Sequence, residues 1–150
     1  MAGVSAPRAA SPSSQHGQLL SQVSDPEAIA SGVAAIGQET GIDILVNNAG
    51  ILRDKSFAKM DIADFREVVD VHLMGAAICT KAVWGPMREQ GHGRIVMTTS
   101  SSGLYGNFGQ VNYGAAKMAL VGLMQTLAIE GAKYDIRVNC LAPTAATQIW

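Results

Sequence analysis

The chain has 150 residues, 48% hydrophobic and 15% charged, with a net charge of −1. That is one domain's worth of chain, and the apolar content excludes disorder throughout. The near-zero charge excludes the electrostatic footprint of a nucleic-acid or anionic-membrane binder. The apolar runs read as short of the ~20 residues that a membrane span needs, so neither partner is expected. Cys79 and Cys140 have no CxxC pairing and sit in apolar surroundings. They read as buried, reduced thiols in a reducing compartment. No His, Cys and carboxylate grouping has metal-ligand spacing, so no metal is expected.

Residues 1–24 differ from the rest. Ten of the first fourteen are Ala, Ser or Pro, and no acidic residue precedes Asp25. This segment is expected to be disordered, because it has too little apolar surface to offset its ordering entropy. A transit peptide is the weaker alternative: the segment is Ser-rich and acid-poor, but Arg8 is its one basic residue. Residues 25–150 then form the domain.

From Ser24 the signals become regular. Ser24 or Asp25 caps a helix, Pro26 and Glu27 suit its first turn, and it runs to about Thr40 before Gly41. Ile42–Val46 is a short apolar run entering Asn47-Asn48-Ala49-Gly50, a buried strand followed by a loop. Asp61 caps a long helix ending near Glu89, with Ile62, Phe65, Val68, Val69, Leu73, Ala76 and Ala77 at helical spacing. Arg94–Thr99 is a second strand. The segment from Ser100 to Gln110, with three glycines and three serines, is expected to be loop. Val111–Lys133 is a helix with Ala115, Ala116, Ala119, Leu120 and Leu123 on one side, and Ile136–Leu141 a third strand stopped by Pro143.

Continuous apolar strands alternating with helices predict a parallel α/β sheet of three strands and three helices. If the strands lie in sequential order, right-handed crossovers place the helices on one face. The other face has nothing in this sequence to cover it, so a partner or further chain is expected there.

Tyr113 and Lys117 stand four apart on the last helix, so their heads share a face. A nearby cation favours the phenolate, bringing the tyrosine toward the range of a working acid or base. Ser100 lies thirteen residues before Tyr113, at the carboxyl end of a strand, where parallel α/β folds bind ligands. Alone, a Tyr-x-x-x-Lys pair also occurs on plain helix surface. With Ser100, the strand-loop-helix context and the upstream Asn-Asn-Ala-Gly, it points to chemistry.

These motifs resemble the short-chain dehydrogenase/reductase family. Residues 42–50 (IDILVNNAG), 94–102 (RIVMTTSSS), 112–117 (NYGAAK) and 136–143 (IRVNCLAP) match it in order and spacing. The resemblance spans roughly residues 24–147. Residues 48–54 (NAGILRD) and 102–113 (SGLYGNFGQVNY) narrow it. They are similar to the D-3-hydroxyacyl-CoA dehydrogenase part of type 2 multifunctional enzymes and to bacterial relatives. The resemblance implies a partial Rossmann-type, doubly wound fold. It implies that Tyr113 exchanges the proton with the substrate oxygen. Lys117 would assist it and bind the nicotinamide ribose, and Ser100 would hold the substrate oxygen. Asn47, Ala49 and Gly50 would shape the cofactor cleft, and Pro143 and Thr144 would lie next to the nicotinamide. Thr144 replaces a usual glycine, and Thr147 is a further candidate for contact with the carboxamide. His72 stands where most members have an asparagine holding a water of the proton relay. A buried, satisfied histidine is the plainer alternative.

The resemblance implies NAD or NADP, with NAD favoured, and a small hydroxy or keto substrate such as a 3-hydroxyacyl thioester. It also implies a homo-oligomer, or association with a homologue, through helices 61–89 and 111–133. A cytoplasmic location is expected, or a peroxisomal one in a eukaryote. The family's glycine-rich phosphate turn has no counterpart: Gly3, Gly17 and Gly32 are isolated and follow no strand. The chain therefore reads as truncated at both ends relative to the family. Two functions are carried forward: an NAD(P)-dependent oxidoreductase, and a catalytically idle form of the fold that pairs with a full-length homologue.

Overall fold

The computed structural model describes residues 23–144, and the expectations for residues 1–22 and for Thr147 lie outside them. Helix α1 (Pro26–Thr40) leads to strand β1 (Ile44–Asn47) and the long helix α2 (Ile62–Gln90). Strand β2 (Gly93–Thr98), a short helix α3 (Ser101–Tyr105), helix α4 (Val111–Gly131) and strand β3 (Ile136–Leu141) follow. The strands are all parallel, in the order β1-β2-β3.

The helix ends follow from local chemistry. Asp25 caps α1, its Oδ1 accepting from the Glu27 and Ala28 backbone amides at 3.0 and 3.2 Å. Asp61 occupies the N-cap of α2 but makes no side-chain cap bond; its carboxylate instead takes Lys55 Nζ at 3.3 Å. Gly91, at φ +69°, ends α2: its amide bonds Arg88 O and the His92 amide bonds Met87 O. Halfway along α2, residues Asp70–Met74 form a π-helical turn.

Helix α2 is long and apolar enough, by length and composition alone, to cross a membrane, contrary to the reading of the apolar runs. Here its Val68, Val71, Ala76, Val83 and Met87 are buried in the core. Of these, Ala76, Val83 and Met87 cluster with Ile95, Met97, Ile136 and Val138 of the sheet and Leu120 of α4. Helices α2 and α4 pack on the strands, and α1 packs on α2. Gly131 lets α4 close on β3, since a Cβ there would sit 2.8 Å from Ile136 O.

The strands' alternate residues form the opposite face, and no helix among the described residues covers it. Ile44, Val46 and Leu141 are 64%, 59% and 56% exposed. Three smaller expectations are corrected. Ala115 is exposed, because the buried stripe of α4 runs through Asn112, Ala116, Lys117 and Leu120. Cys79 and Cys140 are free but half-buried. The segment after Ser100 is not all loop but opens with α3.

Candidate active site

The candidate residues gather where the strands end. Ser100 follows β2 in extended conformation (φ −158°), and its Oγ accepts from the Ser102 amide at 3.2 Å. A serine that would otherwise favour a turn here starts a helix. Tyr113 lies in the first turn of α4 and is half-buried. Gly114 sits beneath α3, where a Cβ would lie 3.0 Å from Ser102 O.

Lys117 is 4% exposed. Its Nζ lies 5.5 Å from the centroid of the Tyr113 ring. Its hydrogen bond goes to Thr98 O at 2.6 Å rather than to the phenol. A buried ammonium takes the nearest carbonyl to offset lost hydration. That burial still brings its pKa down to about 8. The Lys117 carbonyl accepts from Thr99 Oγ1 at 2.6 Å, which ties α4 to the end of β2.

His72 comes from the π-helical turn of α2 and is 4% exposed. Its ring meets the Tyr113 ring edge to face at 5.2 Å between centroids. Nε2 lies 2.8 Å from Ile51 O and 3.1 Å from Ile51 N, so either tautomer pins the loop after β1. Nδ1 is buried with no hydrogen-bond partner. Burial lowers the His72 pKa; the bond to Ile51 opposes this and the charge of Lys117 adds to it. The histidine is therefore buried but not fully satisfied. Gly50 packs on the ring so closely that a Cβ would fall 2.3 Å from Cε1.

Asn47 donates to Thr80 Oγ1 at 3.1 Å, and Asn48 Oδ1 accepts from Thr98 Oγ1 at 2.9 Å. Asn47, Asn48, Ala49, His72 and Lys117 line one cavity of about 90 Å³. That is room for a few waters at ~30 Å³ each. Pro143 and Thr144 follow β3 and are exposed, outside that cavity.

Two residues of this region carry roles that the sequence reading did not assign. Asn112 is fully buried and donates to Arg53 O at 3.1 Å, while its own Oδ1 accepts the Tyr113 amide. Gln110 joins three segments through its side chain. The signal for Asn112 was its place beside Tyr113: a polar residue on the stripe that faces the core.

Among the described residues, no three His, Cys, Asp or Glu side chains could hold a metal ion. A buried lysine bonded to the end of β2, a tyrosine one turn before it on α4 and a serine just past that strand define an α/β protein with titratable groups at the edge where parallel sheets bind ligands.

Comparison with known proteins agrees. The family model "short chain dehydrogenase" matches residues 9–148. The chain belongs to the short-chain dehydrogenase family. It is 50% identical over 129 residues to peroxisomal multifunctional enzyme type 2 of Drosophila melanogaster, covering 86% of this chain and 21% of the relative. It is 42% identical over 126 residues to acetoacetyl-CoA reductase of an Acinetobacter species, covering 83% of this chain and 51% of the relative. A short-chain dehydrogenase from Streptomyces avermitilis superposes with a TM-score of 0.77 at 35% identity, over 82% of this chain and 46% of that one. The chain thus spans about half the length, or less, of these relatives.

Proposed function

We propose that the chain carries the reacting half of an NAD(P)-dependent oxidoreductase that interconverts a secondary alcohol and a ketone. The observation that carries this reading is the buried Lys117 beside the half-buried Tyr113, at the strand end that bears Ser100. In this reading Tyr113 gives its hydroxyl proton to the carbonyl oxygen during reduction and takes it back during oxidation. Ser100 holds that oxygen by a hydrogen bond. Lys117 favours negative charge on the Tyr113 oxygen and offers its remaining N–H groups to a ribose.

The nicotinamide cofactor supplies or accepts the hydride when bound. The residues present fit its nicotinamide end. Lys117 spends one of three donors on Thr98 O, His72 Nδ1 is buried and unpaired, and Asn47 and Ala49 line the cavity beside them while Gly50 packs on the His72 ring. Pro143 and Thr144 are proposed to lie at its carboxamide. His72 is proposed to hold a water through Nδ1 for the returning proton. NAD is favoured over NADP by similarity to the multifunctional-enzyme branch. The name acetoacetyl-CoA reductase, borne by a relative, favours a 3-hydroxyacyl thioester as substrate. Cytoplasmic or peroxisomal location is proposed on the same footing.

A second reading is favoured by the open sheet face, with Ile44, Val46 and Leu141 more than half exposed. In it the chain is catalytically idle and works only within a larger assembly, with further protein over that face and a homologous subunit packed on α2 and α4 from the other side. One assay separates the two. The purified chain is given NAD and a 3-hydroxyacyl-CoA, and absorbance of the reduced cofactor is followed. The oxidoreductase reading expects turnover that Tyr113→Phe lowers by about 10²–10⁴-fold, the usual worth of a general acid or base. Absence of turnover, or turnover untouched by Tyr113→Phe, contradicts it.

A further inference from the structure

Three segments converge on Gln110, just ahead of α4. Its Nε2 donates to Asp54 Oδ2 at 2.7 Å, on the loop after β1. Its Oε1 accepts from Ser102 Oγ at 2.8 Å, in the first turn of α3, and from Asn107 Nδ2 at 3.0 Å. Its own carbonyl accepts the Gly114 amide at 2.7 Å, in the turn that carries Tyr113. The amide group thus has a partner on each end, in an orientation that the carboxylate of Asp54 dictates: the NH₂ faces the acceptor and the oxygen faces the donors.

Two further bonds run alongside. The Lys55 amide donates to Gly109 O at 2.9 Å, and Asn112 Nδ2 to Arg53 O at 3.1 Å. Those bonds join the β1 loop to the start of α4, but they do not reach α3. The Gln110 side chain does, through Ser102, whose amide is in turn held by Ser100 Oγ. Thr99 Oγ1 and Lys117 Nζ tie the middle of α4 to the end of β2. Along the chain, however, Ser100 and Tyr113 are joined through Gly103, Gly106 and Gly109, the last two at φ +81° and +80°, and Gln110 is the side chain that ties the start of α4 to α3. A glycine-rich segment fixes distance poorly by itself.

We propose that Gln110 is a positioning residue: by clamping Asp54, Ser102 and Asn107 it fixes where Ser100 stands relative to Tyr113. This rests on the oxidoreductase reading for its effect on rate, but not for its effect on geometry. The geometry makes a polarity swap informative. Gln110→Glu sets two carboxylates face to face at the Asp54 contact. Asp54→Asn in the same chain supplies an NH₂ to the new carboxylate, while Ser102 and Asn107 keep an acceptor. Neither side chain hydrogen-bonds the side chain of Ser100, Tyr113 or Lys117.

The experiment compares the 150-residue chain, Gln110→Glu, and the Asp54→Asn, Gln110→Glu double variant. It measures hydrogen exchange at the Lys55, Ser102 and Gly114 amides, kcat and KM for a 3-hydroxyacyl-CoA, and the melting temperature. Gln110→Glu is expected to speed exchange at those amides and to lower kcat by about 10- to 100-fold, as misplaced reacting groups do. NADH affinity and melting temperature should barely move. The double variant is expected to restore both protection and kcat. Unchanged exchange in Gln110→Glu, or a double variant as impaired as the single one, overturns the proposal. So does a kcat loss that merely follows the melting temperature. If the wild-type chain shows no turnover, the oxidoreductase reading fails. The exchange pattern then decides this proposal alone: restored protection upholds it and unrestored protection overturns it.

Discussion

The two faces of the sheet use the same three strands and meet opposite fates. On one face Leu45, Ile95 and Val138 stand in register, as do Asn47, Met97 and Cys140, beneath α2 and α4. On the other stand Ile44, Arg94 and Arg137, then Val46, Val96 and Asn139, with no helix over them among the described residues. The open face is most apolar at β1, which like β3 is an edge strand among the described residues, and it turns more polar toward β3, where Leu141 alone is a large exposed apolar side chain. Ile44 and Val46 there have the character of strands buried on both sides, whereas Arg137 and Asn139 alternate like a half-solvated strand. The comparison teaches where further protein would bind most strongly: on the β1 side, where apolar surface and unpaired backbone coincide.

The sharpest way to test that contrast is to truncate one residue from each face. Ile95→Ala opens a cavity at a fully buried position and should cost about 2–5 kcal/mol, read by urea unfolding. A cost below ~1 kcal/mol would mean that the helical side is not the true core.

Next in size is a pH effect. Burial brings the Lys117 pKa down to about 8 in the fold, from an ordinary lysine value of 10.5. Between those values the unfolded chain binds more protons than the folded one, so stability rises with pH across that window and is flat below it for this group. Urea midpoints of the wild type, minus those of Lys117→Met, should climb from pH 8 to 10. A flat difference would show that Lys117 is not desolvated.

Gly50→Ala should cost about 1–3 kcal/mol, as overpacking does, because the new methyl meets the His72 ring. It should also loosen the Ile51 contact, seen as a shifted His72 resonance. Unchanged stability would mean that the loop floor is not packed on His72.

The smallest effect belongs to the open face. Val46→Thr, at 59% exposure, should change stability by less than ~0.5 kcal/mol. It should nonetheless reduce binding of a hydrophobic dye in native buffer. A sharply melting monomer that binds no dye would contradict an open apolar face.

Much of this was legible in the sequence. Each strand lies within two residues of its expected bounds, because short apolar runs between glycine and proline leave little choice. The expectation of one bare sheet face followed from sequential strand order; among the described residues the strands do lie in that order, and Ile44 and Val46 are exposed. Helix α3 was missed because serines and glycines mark turns; the same Ser100 is a local N-cap, its Oγ taking the amide two residues on, and residue type alone does not separate the two uses. The Tyr113–Lys117 pairing came from helical spacing, but spacing cannot say that burial would send the ammonium to Thr98 O. The π-helical turn that delivers His72, and the Gln110 clamp, depend on contacts between distant loops and left no periodic trace.

The central claim is that the strand ends are prepared for a nicotinamide. It is tested most directly by titrating the purified chain with NADH and following nicotinamide fluorescence, with Lys117→Ala beside it. Saturable binding in the micromolar range, weakened at least about tenfold by Lys117→Ala through loss of a charge-assisted hydrogen bond, is the predicted result. No binding up to millimolar NADH, or binding indifferent to Lys117, would contradict it.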